Sequence, residues 1–596
     1  MQSNTTNNIW KKSLLSAVIT STLFLSGCKG DDGADGAQGE QGIQGVVGES
    51  GTDGTNGLDG SNTSGVFTTS NFEIPTDSIF IAEVFESLTG SAPVEGDDIT
   101  EAIITATFDI PDDAVVVLPR GRFIVKDSIT IFEATGLTLL GYGINETQLD
   151  FSQSVADDAV KFEGGRSITI RDFSVYESPK NGIKASSVDG IYFAYTGTIW
   201  EGDLEADNGA YGLYPVKSNN VLLENNYAYG SADAGIYVGQ STNIVVRNNI
   251  AKNNVAGIEI ENSTSADVYN NLAIGNTGGI LVFDLPGLTK AYGGNVRIFN
   301  NDIFENNAEN VGNGFVGVVP PGVGSFIFAT SDVEIYNNHF KNNESTSLAL
   351  LSYFVYDTNF SNYTPSSTYP SGENGQYVQT MLNGWSPYVK NIYVHDNVIE
   401  RSGANPRGEF LTQQIDGAIP DVTLLSGFTE TTSLNTVLGL ITDRAGEKMP
   451  AILYDGVGQF VIDQGMLADF DLLMAFTGSD AYIDGVNYQP YEAEDQICVK
   501  DNLDGNSAAS AEEFTETNLG MLFTNDVNDL VPAITNSIWD PATGSLPPPL
   551  FITEDFHGNS ERLSCRQPRL SAAKVTFKGQ VYGCAGDDLS EAACSL

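Results

Sequence analysis

A repeat of 22 to 23 residues constrains the fold of this chain more than any other feature. A glycine followed by Ile or Leu begins each repeat, and these glycines are separated by 30, 23, 22 and 22 residues. They are Gly182, Gly212, Gly235, Gly257 and Gly279. Apolar residues alternate with polar ones inside each repeat, without helical spacing. A short period made of alternating strands predicts a β-solenoid in which each repeat forms one coil.

Paired asparagines mark one corner of each predicted coil. They follow the glycines at 212, 235 and 257 by 13 residues, and the series then continues past inserted loops. The pairs are Asn225–Asn226, Asn248–Asn249, Asn270–Asn271, Asn300–Asn301 and Asn337–Asn338. Asparagine tolerates the left-handed backbone of a tight corner, and stacked side-chain amides can bond from coil to coil. We therefore expect an asparagine ladder along the solenoid.

The segment before the repeat alternates in the same way. Residues 115–123 (VVVLPRGRF) predict a strand, a turn and a second strand, and residues 137–143 (LTLLGYG) continue the pattern. Both segments resemble the opening coils of pectate-lyase-like β-helices. The resemblance covers about residues 105–401. It implies an all-β right-handed parallel β-helix with loop insertions and a disulfide-bearing C-terminal cap, and it indicates fold rather than function.

The first residues have the features of a targeting signal. Lys11 and Lys12 precede an apolar run, residues 14–25, that is too short to span a bilayer as a mature helix. The run ends in Leu-Ser-Gly-Cys, which resembles the bacterial lipobox and implies a lipidated Cys28 and a membrane anchor. Because Lys29 follows rather than Asp, the resemblance implies an outer-membrane lipoprotein, periplasmic or surface-exposed. The alternative is an ordinary signal peptide with a chance cysteine.

Glycine occupies every third position from Gly30 to Gly60, which is the collagen pattern. No proline falls in this segment, so the usual source of rigidity is missing. Two interpretations stay open. The segment forms either a short triple helix that makes the protein a homotrimer, or an extended acidic stalk that holds the body away from the membrane.

Charge and cysteine usage restrict the partners and the compartment. The chain has 28 Lys and Arg against 77 Asp and Glu, a formal net charge of −49, and such a surface excludes nucleic acid as the main partner. Four cysteines lie in the last hundred residues: Cys498, Cys565, Cys584 and Cys594. In an oxidising compartment they predict two disulfides, with all three pairings open.

These features divide the chain into seven predicted segments. They are a signal peptide at 1–27, the lipidated cysteine and Gly-x-y stalk at 28–62, a linker and N-terminal cap at 63–104, the β-helix at 105–401, an insertion at 402–490, a returning coil at 491–525 and a cysteine-containing C-terminal cap at 526–596.

One outward-facing column is the main candidate site. Side chains alternate along a strand, so the residue two after each shared glycine points outward, and neighbours lie ~4.8 Å apart in adjacent coils. The column comprises Lys161, Lys184, Tyr214, Tyr237, Glu259 and Leu281. We predict that it is exposed and tracks a polysaccharide, with catalytic candidates Tyr237, Tyr214, Lys184 and Glu259. Cross-coil stacking of tyrosines for stability alone is the competing interpretation.

Inserted loops and neighbouring residues extend this candidate site, because loops on one face of a solenoid often build its binding site. Further substrate-binding candidates are Lys161, Trp200, Lys217, Asp233 and Asp284, with Tyr292 in the loop that contains Asp284. Four acidic residues of one loop offer oxygen ligands for calcium, although no EF-hand pattern supports them. They are Glu201, Asp203, Glu205 and Asp207.

Known active-site signatures of this fold are absent. The chain has no Asp-Pro-His-Asp of mannuronan epimerases, no Trp-Ile-Asp-His of pectate lyases and no polygalacturonase-like set. His339 and His395 each follow a coil corner, where an ordinary structural role competes with a catalytic one. The prediction is therefore an envelope lipoprotein that binds an extended polysaccharide, with lyase or epimerase chemistry if it is an enzyme. A non-catalytic adhesion or scaffold protein is the alternative.

Overall fold

The computed structural model describes residues 72–353, 356–357, 362, 376–407, 451–454, 497–500, 502–504, 512–513, 519–521, 552–553 and 568–584. The predicted signal peptide, Cys28 and the Gly-x-y segment lie outside these residues. So do Cys565, Cys594 and most of the predicted insertion and C-terminal cap, and those assignments stay predictions.

The described body consists of coils with three faces. The first sheet contains one strand from each coil: Ile129–Phe132, Asp158–Glu163, Asn181–Ser186, Tyr211–Val216, Ala234–Gly239, Ala256–Glu261, Gly278–Phe283, Val323–Phe328, Thr346–Leu351, Ile452–Tyr454, Leu519–Met521 and Ile552–Thr553. All pairings in it are parallel except the last.

The other two faces share hydrogen bonds and form a second sheet with two rows of strands. The long row contains Ile79–Phe80, Val115–Val117, Thr138–Leu140, Arg166–Tyr176, Asp189–Ile199, Asn219–Glu224, Thr242–Arg247, Thr264–Tyr269, Gly294–Phe299, Ser331–Tyr336, Lys390–His395 and Cys498–Lys500. The short row contains Gly121–Ile124, Thr147–Asp150, Tyr227–Tyr229, Ile250–Lys252, Leu272–Ile274, Asp302–Phe304, His339–Lys341, Val398–Glu400, Leu503–Asp504 and Glu512–Glu513.

The repeat predicted from the glycines sets the register of the first sheet. Ile183 pairs with Leu213, Leu213 with Ile236, Ile236 with Ile258, and Ile258 with Ile280. All five side chains are fully buried and point into one continuous apolar core. The predicted right-handed parallel β-helix is confirmed, and residues about 22 apart in sequence lie side by side.

The asparagine pairs form the expected corner and ladder. The first member of each pair is left-handed, with φ of 56° at Asn225 and 54° at Asn270. The second member is buried, and its amide bonds from coil to coil: Asn249 Nδ2 donates to Asn271 Oδ1 at 2.9 Å, and Asn271 Nδ2 donates to Asn301 Oδ1 at 3.0 Å. A second ladder runs along another corner, from Asn254 through Asn276 and Asn306 to Asn343.

Two helices cover the N-terminal end of the core. Ile81–Thr89 contributes buried Ile81 and Phe85, and Thr100–Thr107 contributes buried Ile103. Val378–Leu382 and a 3₁₀ turn at Val316–Val318 lie in later loops. No helix within the described ranges has the length and apolar character needed to cross a membrane.

Residues 568–584, here called the strap, lie along the side of the β-helix. Leu570 N–H donates to Glu334, Thr576 N–H donates to Asn220 Oδ1, and Lys578 Nζ donates to Gly136 O. The strap therefore runs back across the long row and ends in a hairpin, Val575–Phe577 with Gln580–Tyr582. We expected the C-terminal segment to cap the open end of the helix; its described part instead covers a lateral face.

Buried charges lie on the face that the strap covers. Arg297 Nε lies 2.7 Å from Asp267 Oδ1, and Arg247 Nε lies 2.7 Å from Glu224 Oε2. Arg569 of the strap pairs with Glu334. Cys498 and Cys584 are each disulfide-bonded, while the two-disulfide pattern and its pairing stay predictions.

Candidate functional site

The structure brings the predicted column together in one line on the outer face of the first sheet. Lys161 pairs with Lys184, and Lys184 with Tyr214. Tyr237 pairs with Glu259, and Glu259 with Leu281. The order of the six residues and their strand pairings agree with the spacing of the repeat. The column therefore runs across six consecutive coils.

The column is exposed at only one end, which corrects the prediction of a fully exposed line. Lys161, Lys184 and Tyr214 are partly exposed, whereas Tyr237 and Glu259 are each 4% exposed and Leu281 is fully buried. The loop of residues 305–322 lies over the buried end, because Phe315 packs on Phe283 and Val319 lies beside Gly278. An extended ligand on this face would therefore lie over the N-terminal half of the column.

Three tyrosines form a compact cluster at the boundary between the open and buried parts. The ring centroid of Tyr211 lies 4.6 Å from those of Tyr214 and Tyr237, and the rings of Tyr214 and Tyr237 lie 5.0 Å apart at 84°. The hydroxyl of Tyr237 donates to Glu261. Tyr214 is partly exposed, so part of its ring can contact a ligand at the surface.

Three carboxyl groups lie close to the tyrosine cluster. Asp233 precedes the strand Ala234–Gly239 and is partly exposed, and Tyr211 interacts with its carboxyl group. Burial raises the pKa of Asp233 to about 8, and the pKa values of Glu259 and Glu261 are raised by burial as well. One carboxyl oxygen of Glu259, Oε2, is buried without a hydrogen-bond partner. At neutral pH Asp233 therefore holds a proton beside the open part of the column.

The two tyrosines of the column have raised pKa values, whereas a tyrosine that acts as a base needs a lowered one. Burial raises the pKa of Tyr214 to about 12 and that of Tyr237 well above its usual value, with nearby Glu261 as a further cause. A phenol that loses its proton this reluctantly does not take a proton from a sugar carbon near neutral pH. The catalytic role of Tyr237 and Tyr214 stays a prediction, and their raised pKa values favour a positioning role over that of a base.

The two lysines are already engaged with neighbouring carboxylates. Lys161 Nζ lies 3.0 Å from Glu163 Oε2, and Lys184 Nζ lies 3.8 Å from Asp158 Oδ2. Lys184 Nζ also lies 5.1 Å from the centre of the Tyr214 ring. Their positive charges are thus partly balanced, which reduces their capacity to neutralise a polyanion.

The other predicted substrate contacts lie away from the column surface. Trp200 is 3% exposed and its indole N–H donates to Ser178 O at 2.7 Å, so it does not overhang the column as predicted. Lys217 is exposed in the turn after the strand Tyr211–Val216. Asp284 is buried, accepts from Thr330 Oγ1 at 3.1 Å, and has its pKa raised to about 7 by burial.

The acidic loop does not assemble a calcium site. Glu201 forms an ion pair with Arg122, Oε2 to Nη2 at 3.2 Å, and Asp203, Glu205 and Asp207 are exposed. Within the described ranges no three His, Cys, Asp or Glu side chains converge in a way that could hold a metal ion. The calcium hypothesis for these four residues is therefore not supported.

The two coil-corner histidines bond to neighbouring carboxylates. His339 Nε2 lies 3.0 Å from Glu400 Oε1. His395 lies 2.7 Å from Asp396 through Nδ1 and 3.1 Å from Glu334 through Nε2, and its ring stacks on Tyr336. These contacts lie on the long and short rows rather than on the column, which fits the structural interpretation of both residues.

Sequence reasoning missed Tyr211 and Glu261. Glu261 stands two residues after Glu259 on the same strand and therefore points to the same side. The alternation of side chains along a strand could have identified it from the sequence. Tyr211 has no such signal, because it lies three residues before Tyr214 across the shared glycine, and only the packing shows that both rings meet.

Comparison with a family model agrees with the architecture. Residues 144–290 match the family model described as a right-handed beta helix region. No curated protein sequence matches the chain. Similar solved structures include an alpha-1,3-glucanase catalytic unit from Streptomyces thermodiastaticus, a mannuronan C-5 epimerase A-module from Azotobacter vinelandii and a polygalacturonase from Erwinia carotovora.

All three likenesses are distant. The glucanase is 16% identical with a TM-score of 0.37, and the alignment covers 56% of this chain and 61% of that one. The epimerase module is 15% identical with a TM-score of 0.30, covering 54% and 95%. The polygalacturonase is 12% identical with a TM-score of 0.32, covering 56% and 90%. At these scores the likenesses do not bear on the function of this chain.

Proposed function

We propose that the outer face of the first sheet binds an extended polysaccharide along the column. The observation that carries this proposal is the alignment of Lys161, Lys184 and Tyr214 in consecutive coils, close to the carboxyl group of Asp233. A row of side chains spaced by ~4.8 Å is a linear surface suited to a linear polymer. Tyrosine rings pack against sugar faces, and the lysines bond to hydroxyl or carboxylate oxygens.

We further propose that the bound polymer is cleaved and that Asp233 is the general acid. Its proton passes to the bridging oxygen of the glycosidic bond as the bond between that oxygen and its sugar carbon breaks. In hydrolysis the oxygen of a water molecule bonds to this carbon, and the water's proton returns to the Asp233 carboxylate. In elimination the neighbouring carbon loses its C–H proton to solvent, and a carbon–carbon double bond forms. A carboxyl group with a pKa near 8 is largely protonated at pH 7 and remains acidic enough to donate. Lyase chemistry, expected from the sequence, and hydrolysis share this step and differ in the products.

A polysaccharide panel tests both parts. Purified protein is incubated with alginate, polygalacturonate and neutral glycans, and binding, new reducing ends and unsaturated sugar ends are measured. Binding of at least one polymer is expected to weaken about tenfold in the Lys184→Ala/Tyr214→Ala variant, because a stacking ring and a cation are lost. Lys126→Ala, which removes a lysine near the N-terminal helices, is the control. No polymer bound, or equal binding by the double variant, contradicts the proposal.

We also propose that Cys28 anchors the protein to the outer membrane. Support comes from the sequence alone: the apolar run at 14–25 followed by Leu-Ser-Gly-Cys. Metabolic labelling with a radioactive fatty acid is expected to mark the chain and to leave Cys28→Ser unlabelled. Label retained by Cys28→Ser contradicts the anchor.

Adhesion or scaffolding is the second candidate function, and the Gly-x-y segment is the observation that favours it. A protein that binds a polymer without producing new chain ends fits this function. Cleavage by the wild-type chain, lost in Asp233→Asn, excludes a purely adhesive role.

A further inference from the structure

A groove on the short row of strands, near the N-terminal end, is separate from the column. It has a volume of about 320 Å³ and is lined by Ile144, Tyr176, Ile199, Glu201, Tyr227 and Tyr229. We call it the tyrosine groove. Asn145 and Gly202 complete the lining, so three of the eight lining residues are tyrosines.

The register explains how the tyrosines come together. Tyr176 pairs with Ile199, and Ile199 pairs with Tyr229, so two rings flank one isoleucine across three consecutive coils. Tyr227 stands two residues before Tyr229 on the same side of its strand, and the two ring planes lie within 15° of each other at 6.2 Å. Tyr227 and Tyr229 are both partly exposed, and they present two parallel rings to the groove.

An ion pair borders the two rings and covers the ring of Tyr176. The guanidinium group of Arg122 lies 4.3 Å from the centre of the Tyr176 ring, and its Nη1 and Nη2 each lie 3.2 Å from the carboxylate of Glu201. The hydroxyl of Tyr229 donates to Gly202 O at 3.0 Å, which holds the loop beside the groove. Hydrogen-bonding groups of known position therefore border an apolar surface.

This combination fits the chemistry of a pyranose ring. One face of such a ring is made of C–H groups that pack on aromatic rings, and its hydroxyls need donors and acceptors at the rim. Burial raises the pKa of Tyr227 to about 12, so its ring stays neutral. The net charge of −49 and the carboxylate of Glu201 at the rim disfavour an anionic sugar.

We propose that the tyrosine groove is a second carbohydrate site, which takes a neutral pyranose unit of a glycan. Because it lies on a different face from the column, the β-helix can hold two glycan segments at once. Two linked sites raise the overall affinity through effective concentration, without any new contact. The proposal rests on this groove alone and is independent of cleavage at Asp233.

Calorimetric titration of the full chain tests the site. The probes are cellotetraose and mannotetraose, with tetragalacturonate as the anionic comparison. We expect a neutral probe to bind and its affinity to fall about tenfold in Tyr227→Ala/Tyr229→Ala, since each ring contributes a stacking surface. Phe108→Ala removes an aromatic ring that is 88% exposed near the second helix and is the control. Tyr227→Ala alone is the second variant, to be used if the double variant does not fold.

The outcomes separate this site from the column. Loss of neutral-sugar binding in the tyrosine variants, but not in Lys184→Ala/Tyr214→Ala or Phe108→Ala, supports the second site whatever happens at the column. Loss only in Lys184→Ala/Tyr214→Ala overturns the second site and leaves the column proposal standing. Failure of both neutral probes to bind, or binding of tetragalacturonate alone, also overturns it.

Discussion

At the scale of single residues, Asp233 is the group on which cleavage depends. Tyr211 forms a hydrogen bond with its carboxyl group, and burial together with nearby Glu261 raises its pKa to about 8. We predict that Asp233→Asn lowers the cleavage rate by about 10²- to 10⁴-fold, the usual contribution of a general acid. Polymer binding is expected to change little, because an amide has nearly the same shape.

Initial rates and binding isotherms on the polymer found by the panel measure this effect. The wild-type rate is expected to fall as the pH rises through about 8, where Asp233 ionises. Asp203→Asn, which changes an exposed loop carboxylate, is the matched control. Full activity of Asp233→Asn would exclude Asp233 as the acid.

The buried carboxyl cluster also predicts how stability depends on pH. Burial raises the pKa of Glu259 well above its ordinary value, so above that ordinary value the folded chain keeps a proton that the unfolded chain releases. The folded chain then binds more protons, and the free energy of unfolding falls as the pH rises. Each carboxyl group of this kind lowers the free energy of unfolding by about 1.4 kcal/mol for each unit that the pH rises.

Glu259→Gln removes this contribution. Urea unfolding at several pH values is expected to show a shallower loss of stability for Glu259→Gln than for the wild type. Glu205→Gln, an exposed loop substitution, keeps the wild-type slope. Identical slopes for all three proteins would mean that Glu259 is ionised in the folded chain.

Residue contacts could be predicted from the sequence only in part. The repeat places Lys184, Tyr214 and Glu259 in one column, because the spacing of 22 to 23 residues fixes the register. It cannot show that Tyr237 and Glu259 are buried, since their exposure depends on packing with Tyr211 and Glu261, which lie outside the column pattern.

At the scale of structural elements, the asparagine ladder joins the coils at one corner. Asn271 accepts from both the backbone and the side-chain amide of Asn249, and it donates to Asn301 and Val246. Removing it leaves buried donors unpaired, so Asn271→Ala is expected to lose on the order of 3 kcal/mol of unfolding free energy.

The neighbouring position offers a matched control. Asn270 has a φ of 54°, which glycine adopts readily, so Asn270→Gly is expected to cost far less than Asn271→Ala. Chemical denaturation monitored by circular dichroism compares the two. Equal losses would show that the ladder amides contribute no more than the corner geometry.

The face under the strap depends on buried ion pairs. Asp267 and Arg297 are 0% and 1% exposed, so Asp267→Ala leaves a guanidinium buried without its main partner. We expect a loss of roughly 3–5 kcal/mol in unfolding free energy. The double variant Asp267→Leu/Arg297→Met replaces both charges and is expected to lose less; a larger loss in the double variant would contradict this account.

The position of the strap against the β-helix could not be predicted from the sequence. Strand alternation in residues 115–123 and the glycine repeat predict the coils, because both are local patterns. The contact of Thr576 with Asn220 joins residues 356 positions apart. No local sequence pattern can predict a contact between residues so far apart in the chain. The sequence therefore predicts a cap at the end of the helix, whereas the strap lies along its side.

At the scale of the whole molecule, the sequence predicts that the Gly-x-y segment forms either a triple helix or an extended stalk. If residues 30–60 form a triple helix, deleting them is expected to convert a trimer into a monomer in light scattering. Deletion of the same number of residues from 408–450 is the control. A wild-type chain that is already monomeric would support the extended stalk.

The central claim is that a polysaccharide lies along the first sheet, over the open end of the column. A crystal structure of Asp233→Asn, soaked with an oligosaccharide from the polymer found by the panel, tests it most directly. We predict sugar rings over Tyr214 and beside Lys184, with a glycosidic oxygen within hydrogen-bond distance of residue 233. Sugar bound only on the long or short row, with the column empty, would contradict the account.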